Sequence, residues 1–289
     1  MTEEIEILLA RVLKLATLEK KTELIENKSE TVEKVGIPMP RWPEEVAAIP
    51  TEFTRVSLFG LPADCRGERQ ILDGVKLASR ADLEVIYTGK ELCAKDETAW
   101  LSCLRLGRGI PMGERIYLTK AALLRDVGLT NTGPNWKTLE GRLDRLSIAH
   151  TKVRLKRNDS WLVVNCGLMK FGFDEDTDVM YFRLDPEGAR LFDNLAYQPW
   201  EIRLALKKDI SARLLSYVTG HLQGKPHSVL LEDLLKWCGY PGRLRQFRTA
   251  CLEAFKELER KDVLVSGSSK IIKGAKGDVA CWVRENMMV

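Results

Sequence analysis

Two stretches of the chain concentrate the residue types that hold phosphate and read base edges. Residues 134–157 carry seven Lys or Arg against two acids, and residues 240–261 carry six against three. The whole protein of 289 residues has a net charge of only +4, so the remainder of the chain is slightly acidic. Two basic segments in an acidic body suggest two local anion-binding surfaces. In the first stretch, helical periodicity puts Trp136, Leu139, Leu143 and Leu146 on one apolar stripe. Lys137, Thr138, Gly141 and Arg145 then face away, with Arg142 on the flank. A mid-helix Gly costs about 1 kcal/mol relative to Ala, a cost that close approach to another surface would justify. Lys152, Arg154 and Lys156 alternate along a following strand and share one face, a spacing that fits a row of phosphates.

In the second stretch, Leu244, Phe247, Cys251, Phe255 and Leu258 make the apolar stripe. Arg245, Gln246 and Thr249 lie opposite, Arg248 flanks them, and Arg243 stands just ahead. Cations in the first turn of a helix oppose its macrodipole, and an anion partner offsets that cost. Arg and Gln are side chains that read guanine and adenine edges. Lys270 and Lys273, in the expected loop GSSKIIKGAKGD, add two further cations. All of these are expected DNA contacts.

Catalysis on nucleic acid needs other constellations. A tyrosine nuclease of the rolling-circle kind holds its metal with closely spaced histidines, which His150, His221 and His227 do not supply. An ATPase needs GxxxxGK followed by Ser or Thr. The nearest strings, TGKE at 88–91 and GHLQGKP at 220–226, have the wrong spacing and lack the hydroxyl. Asp174, Asp176 and Asp178 have the spacing of the first three calcium-loop ligands, but Val179 stands where the sharp-turn Gly belongs. They read as an acidic turn tip, with a metal-dependent nuclease or primase as the weakest alternative. No catalytic residue, metal or cofactor is expected, and no enzyme. Seven cysteines without CxxC spacing suit the reduced thiols of a cytoplasmic protein. No apolar run approaches the ~18 residues of a membrane span. The acidic start MTEEIE lacks the basic region of a secretory signal.

The elements that must position these cations follow from periodicity and punctuation. Residues 3–34 read as a helix, and the proline-rich stretch Gly36–Pro50 as an extended linker. Leu83–Gly89 reads as a strand, and Asp96–Arg108 as a helix with Asp96 as N-cap. A short strand, a helix over Thr119–Val127, a turn and a helix over Asn135–Leu146 follow, then strands Ala149–Lys156 and Ser160–Leu168. Helix, turn, helix and hairpin is the winged-helix order. It returns as Ile210–Leu222, Val229–Cys238 and Leu244–Lys261, with Val263–Ser266 and Val279–Arg284 as the hairpin. The expected fold is α+β: two tandem winged-helix domains, 51–195 and 196–289, after an N-terminal helix and linker, 1–50. In such domains the second helix enters the major groove and the hairpin touches backbone.

RWPEEVAAIPTEFTRVSLF (Arg41–Phe59) and LEVIYTGKEL (Leu83–Leu92), in this order ahead of a first winged helix, resemble the TrfA plasmid replication initiators. The resemblance implies a protein that binds direct repeats (iterons) in double-stranded plasmid origin DNA and helps melt an adjacent stretch. It also implies contact with single-stranded origin DNA, with the host replicative helicase, initiator and sliding clamp, and exchange between monomer and dimer. Residues 55–59, RVSLF, resemble the QLSLF-type peptide by which replication proteins bind the sliding clamp, with Arg55 in place of Gln. Leu58 and Phe59 would be its anchors; the competing reading is a buried strand. The competing function is a double winged-helix transcriptional repressor, which would prefer palindromic sites to direct repeats.

Overall fold

The computed structural model of the protein describes residues 37–62, 69–157, 160–174 and 179–286. The expected helix over 3–34 lies outside the described residues, as do Asp176 and Asp178. Along the chain come β1 (Val46–Pro50), the one-turn α1 (Thr51–Thr54), β2 (Phe59–Gly60), β3 (Ile71–Lys76), β4 (Leu83–Lys90), β5 (Leu92–Cys93) and α2 (Ala94–Gly107). Next are β6 (Ile116–Thr119), α3 (Lys120–Asp126), α4 (Gly133–Ile148), β7 (His150–Arg157), β8 (Ser160–Gly167), β9 (Met169–Asp174) and β10 (Val179–Leu184). A 3-10 helix (Pro186–Asp193), β11 (Leu195–Pro199) and α5 (Trp200–Ala205) lead to α6 (Asp209–Thr219), β12 (Pro226–Leu230), α7 (Leu231–Trp237), α8 (Leu244–Glu259), β13 (Lys270–Gly274) and β14 (Gly277–Val283).

One order of elements occurs twice in this α+β fold. Helix α2, strand β6, helices α3 and α4, and the pair β9–β10 form a unit whose sheet runs β6-β10-β9. Helix α6, strand β12, helices α7 and α8, and the pair β13–β14 form another, whose sheet runs β12-β14-β13. Local signals explain the helices. Thr119 accepts the Ala122 N–H at 3.2 Å, and Thr132 accepts that of Asn135 at 3.4 Å, so both helices of the first pair start on a hydroxyl cap. Gly128 (φ 73°) and Gly239 (φ 59°) follow α3 and α7 in the left-handed conformation that ends helices.

Several expected elements are placed differently. Asp96 is not the N-cap of α2: it sits a turn inside and reaches back to accept the Cys93 N–H at 2.9 Å. The β7–β8 hairpin is not part of the β6-β10-β9 sheet. It lies inside a separate four-stranded sheet, β3-β4-β7-β8, where β7 pairs with both β4 and β8. The second hairpin is Lys270–Gly274 with Gly277–Val283, so Lys270 and Lys273 stand on a strand rather than in a loop, and Val263 and Leu264 are buried.

The proline-rich stretch is extended, but it is core rather than linker. Met39, Trp42 and all of Val46–Ile49 are buried, and β1 pairs antiparallel with β11. A strand buried on both faces gives a continuous apolar run without alternation, which hides it among prolines. Two hydrophobic clusters result. The first reaches from Met39 to Trp200, beyond both ends of the expected 51–195 domain. The second gathers Ile210 to Trp282 and also takes in Leu61 and Ala94 from the other half of the chain. Among the described residues no helix is long and apolar enough to cross a membrane.

Candidate nucleic-acid interface

Helix α4 buries Leu139, Leu143 and Leu146, as its periodicity requires. Trp136 is half-buried against Phe173, with the Lys120 ammonium over both rings. Lys137 and Thr138 are exposed, and the Thr138 hydroxyl donates to the Pro134 carbonyl at 2.9 Å. At Gly141 an added Cβ would meet little besides the Arg145 guanidinium, at 3.7 Å. Arg142 is half-buried, and desolvation lowers its pKa while the nearby Asp96 pulls it back. Arg145 departs from the outward position expected of it. Its Nε and Nη2 donate to Asp96 Oδ1 at 3.2 and 2.7 Å, and the Asp96 carboxylate is fully buried. A buried carboxylate draws the nearest guanidinium inward.

Lys152, Arg154 and Lys156 share one face of β7, as alternation predicts, but that face belongs to the four-stranded sheet. Arg154 is held between Glu84, at 3.4 Å, and the Trp161 ring, at 5.2 Å. Trp161, Val163 and Asn165 on β8 lie opposite Lys156, Arg154 and Lys152 and are exposed. This apolar flank was missed, although the same two-residue alternation along SWLVVN marks it.

Helix α8 buries Phe247, Cys251, Ala254, Phe255 and Leu258. Leu244, expected in that stripe, is 39% exposed. Beside it Arg243, Arg245, Gln246, Arg248 and Thr249 are all exposed. The Gln246 amide oxygen accepts the Arg243 N–H at 3.0 Å, while no acid lies in the first turn to answer the helix dipole. Arg248 donates to Asp278 at 3.2 Å and to the Ile271 carbonyl at 3.5 Å, which ties α8 to the β13–β14 hairpin. Lys270 and Lys273 are exposed on β13, on opposite faces of the strand.

The remaining candidates are internal. Leu58 and Phe59 are buried, so the structure contradicts their reading as exposed partner anchors and supports the buried strand. The Phe59 ring lies 5.6 Å from that of Trp100, and β2 pairs in parallel with β5. The Arg213 guanidinium holds the same segment by donating to the Thr54 and Val56 carbonyls at 3.0 and 2.6 Å. The His221 and His227 rings lie with centroids 3.8 Å apart, tilted by 52° to each other, beside Trp282. Burial, with the Arg55 charge next, pushes His221 down to about 3. They form a neutral aromatic cluster.

The geometry defines an α+β protein with two repeated units, one exposing Arg243, Arg245 and Arg248 at the start of α8 and the other Lys137 on α4. The model of the TrfA protein family matches residues 13–270, and the chain belongs to that family. It is 26% identical over 224 residues to a plasmid replication initiator protein TrfA of Escherichia coli, an alignment that covers 75% of this chain and 58% of that protein. The chain thus spans little more than half the length of that relative. A crystal structure of domains 2 and 3 of RctB shares the fold, with a TM-score of 0.55 at 12% identity over 83% of this chain and 99% of the other.

Proposed function

We propose that the protein is a plasmid replication initiator that binds tandem direct repeats in duplex origin DNA and has no catalytic step of its own. In this reading each repeated unit is a winged helix. Helices α3–α4 and α7–α8 are the helix-turn-helix pairs, and α4 and α8 enter the major groove. The wings are then β9–β10 and β13–β14, and the basic row on β7 is a separate surface for backbone phosphates. The observation that carries the reading is the start of α8. Arg243, Arg245, Gln246 and Thr249 are exposed together there with no carboxylate in the first turn. Membership of the TrfA family supports the rest. Contact with melted single-stranded origin DNA, with the host helicase, initiator and sliding clamp, and exchange between monomer and dimer belong to the same proposal. Since Leu58 and Phe59 are internal, a clamp contact would use another surface.

Selection from a random duplex pool, followed by binding at several salt concentrations, tests this. Tandem direct repeats are the expected product. With about 6–10 phosphate contacts, affinity falls roughly 10³–10⁵-fold between about 50 and 200 mM salt. Palindromic sites would point to a repressor instead, and salt-independent binding would contradict duplex recognition altogether.

A further inference from the structure

Two apolar clusters in this fold meet across a polar seam that holds two buried guanidinia: Arg213, which ties α6 to the carbonyls of Thr54 and Val56, and Arg203, whose partners lie on both sides. Arg203, on α5, has a fully buried side chain, as has its partner Glu97 on α2, 3.0 Å away. Every N–H group of Arg203 has an acceptor. Nε donates to Thr98 Oγ1, Nη2 to Glu97 and the Ala94 carbonyl, and Nη1 to Gln198, Ser216 Oγ and the Ala212 carbonyl, all between 2.8 and 3.2 Å. The acceptors come from both sides: α2 belongs to the first unit and α6 to the second.

This seam lies on a continuous mechanical line between the two basic helices. Helix α4 packs on α2, and Arg145 ties it to Asp96, the residue before Glu97. Helix α6 packs on α8, where Ser211 donates to Glu257 at 2.5 Å. Helices α2 and α6 touch, with Arg203 beside that contact. An apolar contact between two such helices admits small slides at little cost. Five N–H groups of one planar fork, shared among six acceptors, admit a single register. Buried ionic networks gain little stability over an apolar replacement, and fixing register is their best-attested use.

We propose that Arg203 is a positioning residue that fixes α4 relative to α8, and so fixes the spacing between the two DNA segments that one chain can read at once. The proposal rests on the reading of both helices as DNA-contacting. Each inserted base pair moves the second segment about 3.4 Å along the duplex and turns it by about 35°. A rigid chain must then release one segment.

The test compares wild type with the Glu97→Gln/Arg203→Met double variant, which removes both charges while keeping volume. Arg203→Lys, which keeps a charge opposite Glu97 and loses the planar fork, serves if the double variant does not fold. Two readouts are taken. The first, without DNA, is the distance distribution between labels on unnatural amino acids at Lys137 on α4 and Lys256 on α8. The second is affinity for the duplex selected by wild type and for derivatives with one to three base pairs inserted between its two protected segments. We expect a narrow distance distribution for wild type and a broad one for the variant. We also expect a loss of about tenfold or more per insertion for wild type, against less than about threefold for the variant. An equally narrow distribution in the variant, or an unchanged spacing penalty, overturns the proposal. If wild type binds no duplex specifically, the DNA reading fails, while the distance measurement still decides whether Arg203 fixes the two helices.

Discussion

Replacing Arg145 separates a structural role from a DNA contact, because its guanidinium is paired with the buried Asp96 carboxylate. Arg145→Ala leaves the Asp96 carboxylate fully buried with the Cys93 N–H as a remaining donor. Removing one partner of a buried ion pair costs about 3–5 kcal/mol. Two features reduce that here. The Arg145 side chain is 21% exposed, so water screens part of the pair, and the Arg142 charge also acts on Asp96. A loss of about 2–3 kcal/mol is therefore expected. At roughly 2–4 °C per kcal/mol for a chain of this size class, the melting temperature should fall by about 5–10 °C. Below its melting transition the variant should bind selected duplex within about twofold of wild type. Lys137→Ala, an exposed change on the same helix, should do the reverse: unchanged melting and weaker binding. Thermal melting and fluorescence anisotropy on the two variants give the answer. If Arg145→Ala melts like wild type and loses tenfold or more in affinity, Arg145 belongs to the DNA surface and the account of Asp96 is wrong.

Other expected outcomes can be checked with the same material. Arg245→Ala should cost about 1–3 kcal/mol on the selected site and relax discrimination there, as read by competition between matched and mismatched duplexes. Arg154→Ala should weaken all duplexes alike and lower the salt slope by about one; a change in sequence preference instead would place β7 in a groove. Phe59→Ala should destabilise by about 3–5 kcal/mol in urea unfolding, and wild-type stability would return this residue to the surface. His221 is neutral in the folded protein because burial holds it down to about 3, whereas the unfolded chain protonates near 6.5. Its contribution is thus complete above about pH 6.5 and is lost as pH falls from there towards 3. The expected loss is on the order of 2 kcal/mol by about pH 5. A His221→Phe variant should lose less stability than wild type between pH 7 and pH 5, and parallel curves would contradict this.

The sequence shows the two basic helices better than the surfaces they build. The stripes of α4 and α8 were legible because 3.6-residue periodicity separates Leu139, Leu143 and Leu146, or Phe247, Cys251 and Phe255, from the cations between them. The basic row on β7 was legible from alternation. Its sheet was not, because pairing between β4 and β7 joins residues some 70 positions apart, and no local pattern encodes a long-range partner. For the same reason local pattern points to the adjacent hairpin β7–β8 as part of the repeated unit, whereas the sheet order that recurs contains β9–β10. Arg145 was misplaced because periodicity counts angles and knows nothing of a buried Asp96 on another helix. Val46–Ile49 was missed because prolines mark extended chain whether it is exposed or interior. The seam around Arg203 left no sequence signal: six acceptors on α2, β11 and α6 converge only in three dimensions.

The central claim is that this chain starts replication from repeats it binds as duplex. A plasmid lacking any other replicon, carrying the selected direct repeats and an adjacent AT-rich stretch, should be maintained only in cells that express the protein. An Arg243→Ala/Arg245→Ala variant, folded by its melting curve, should fail to maintain it. Maintenance without the protein, or full maintenance by a folded variant that no longer binds the repeats, would contradict the account.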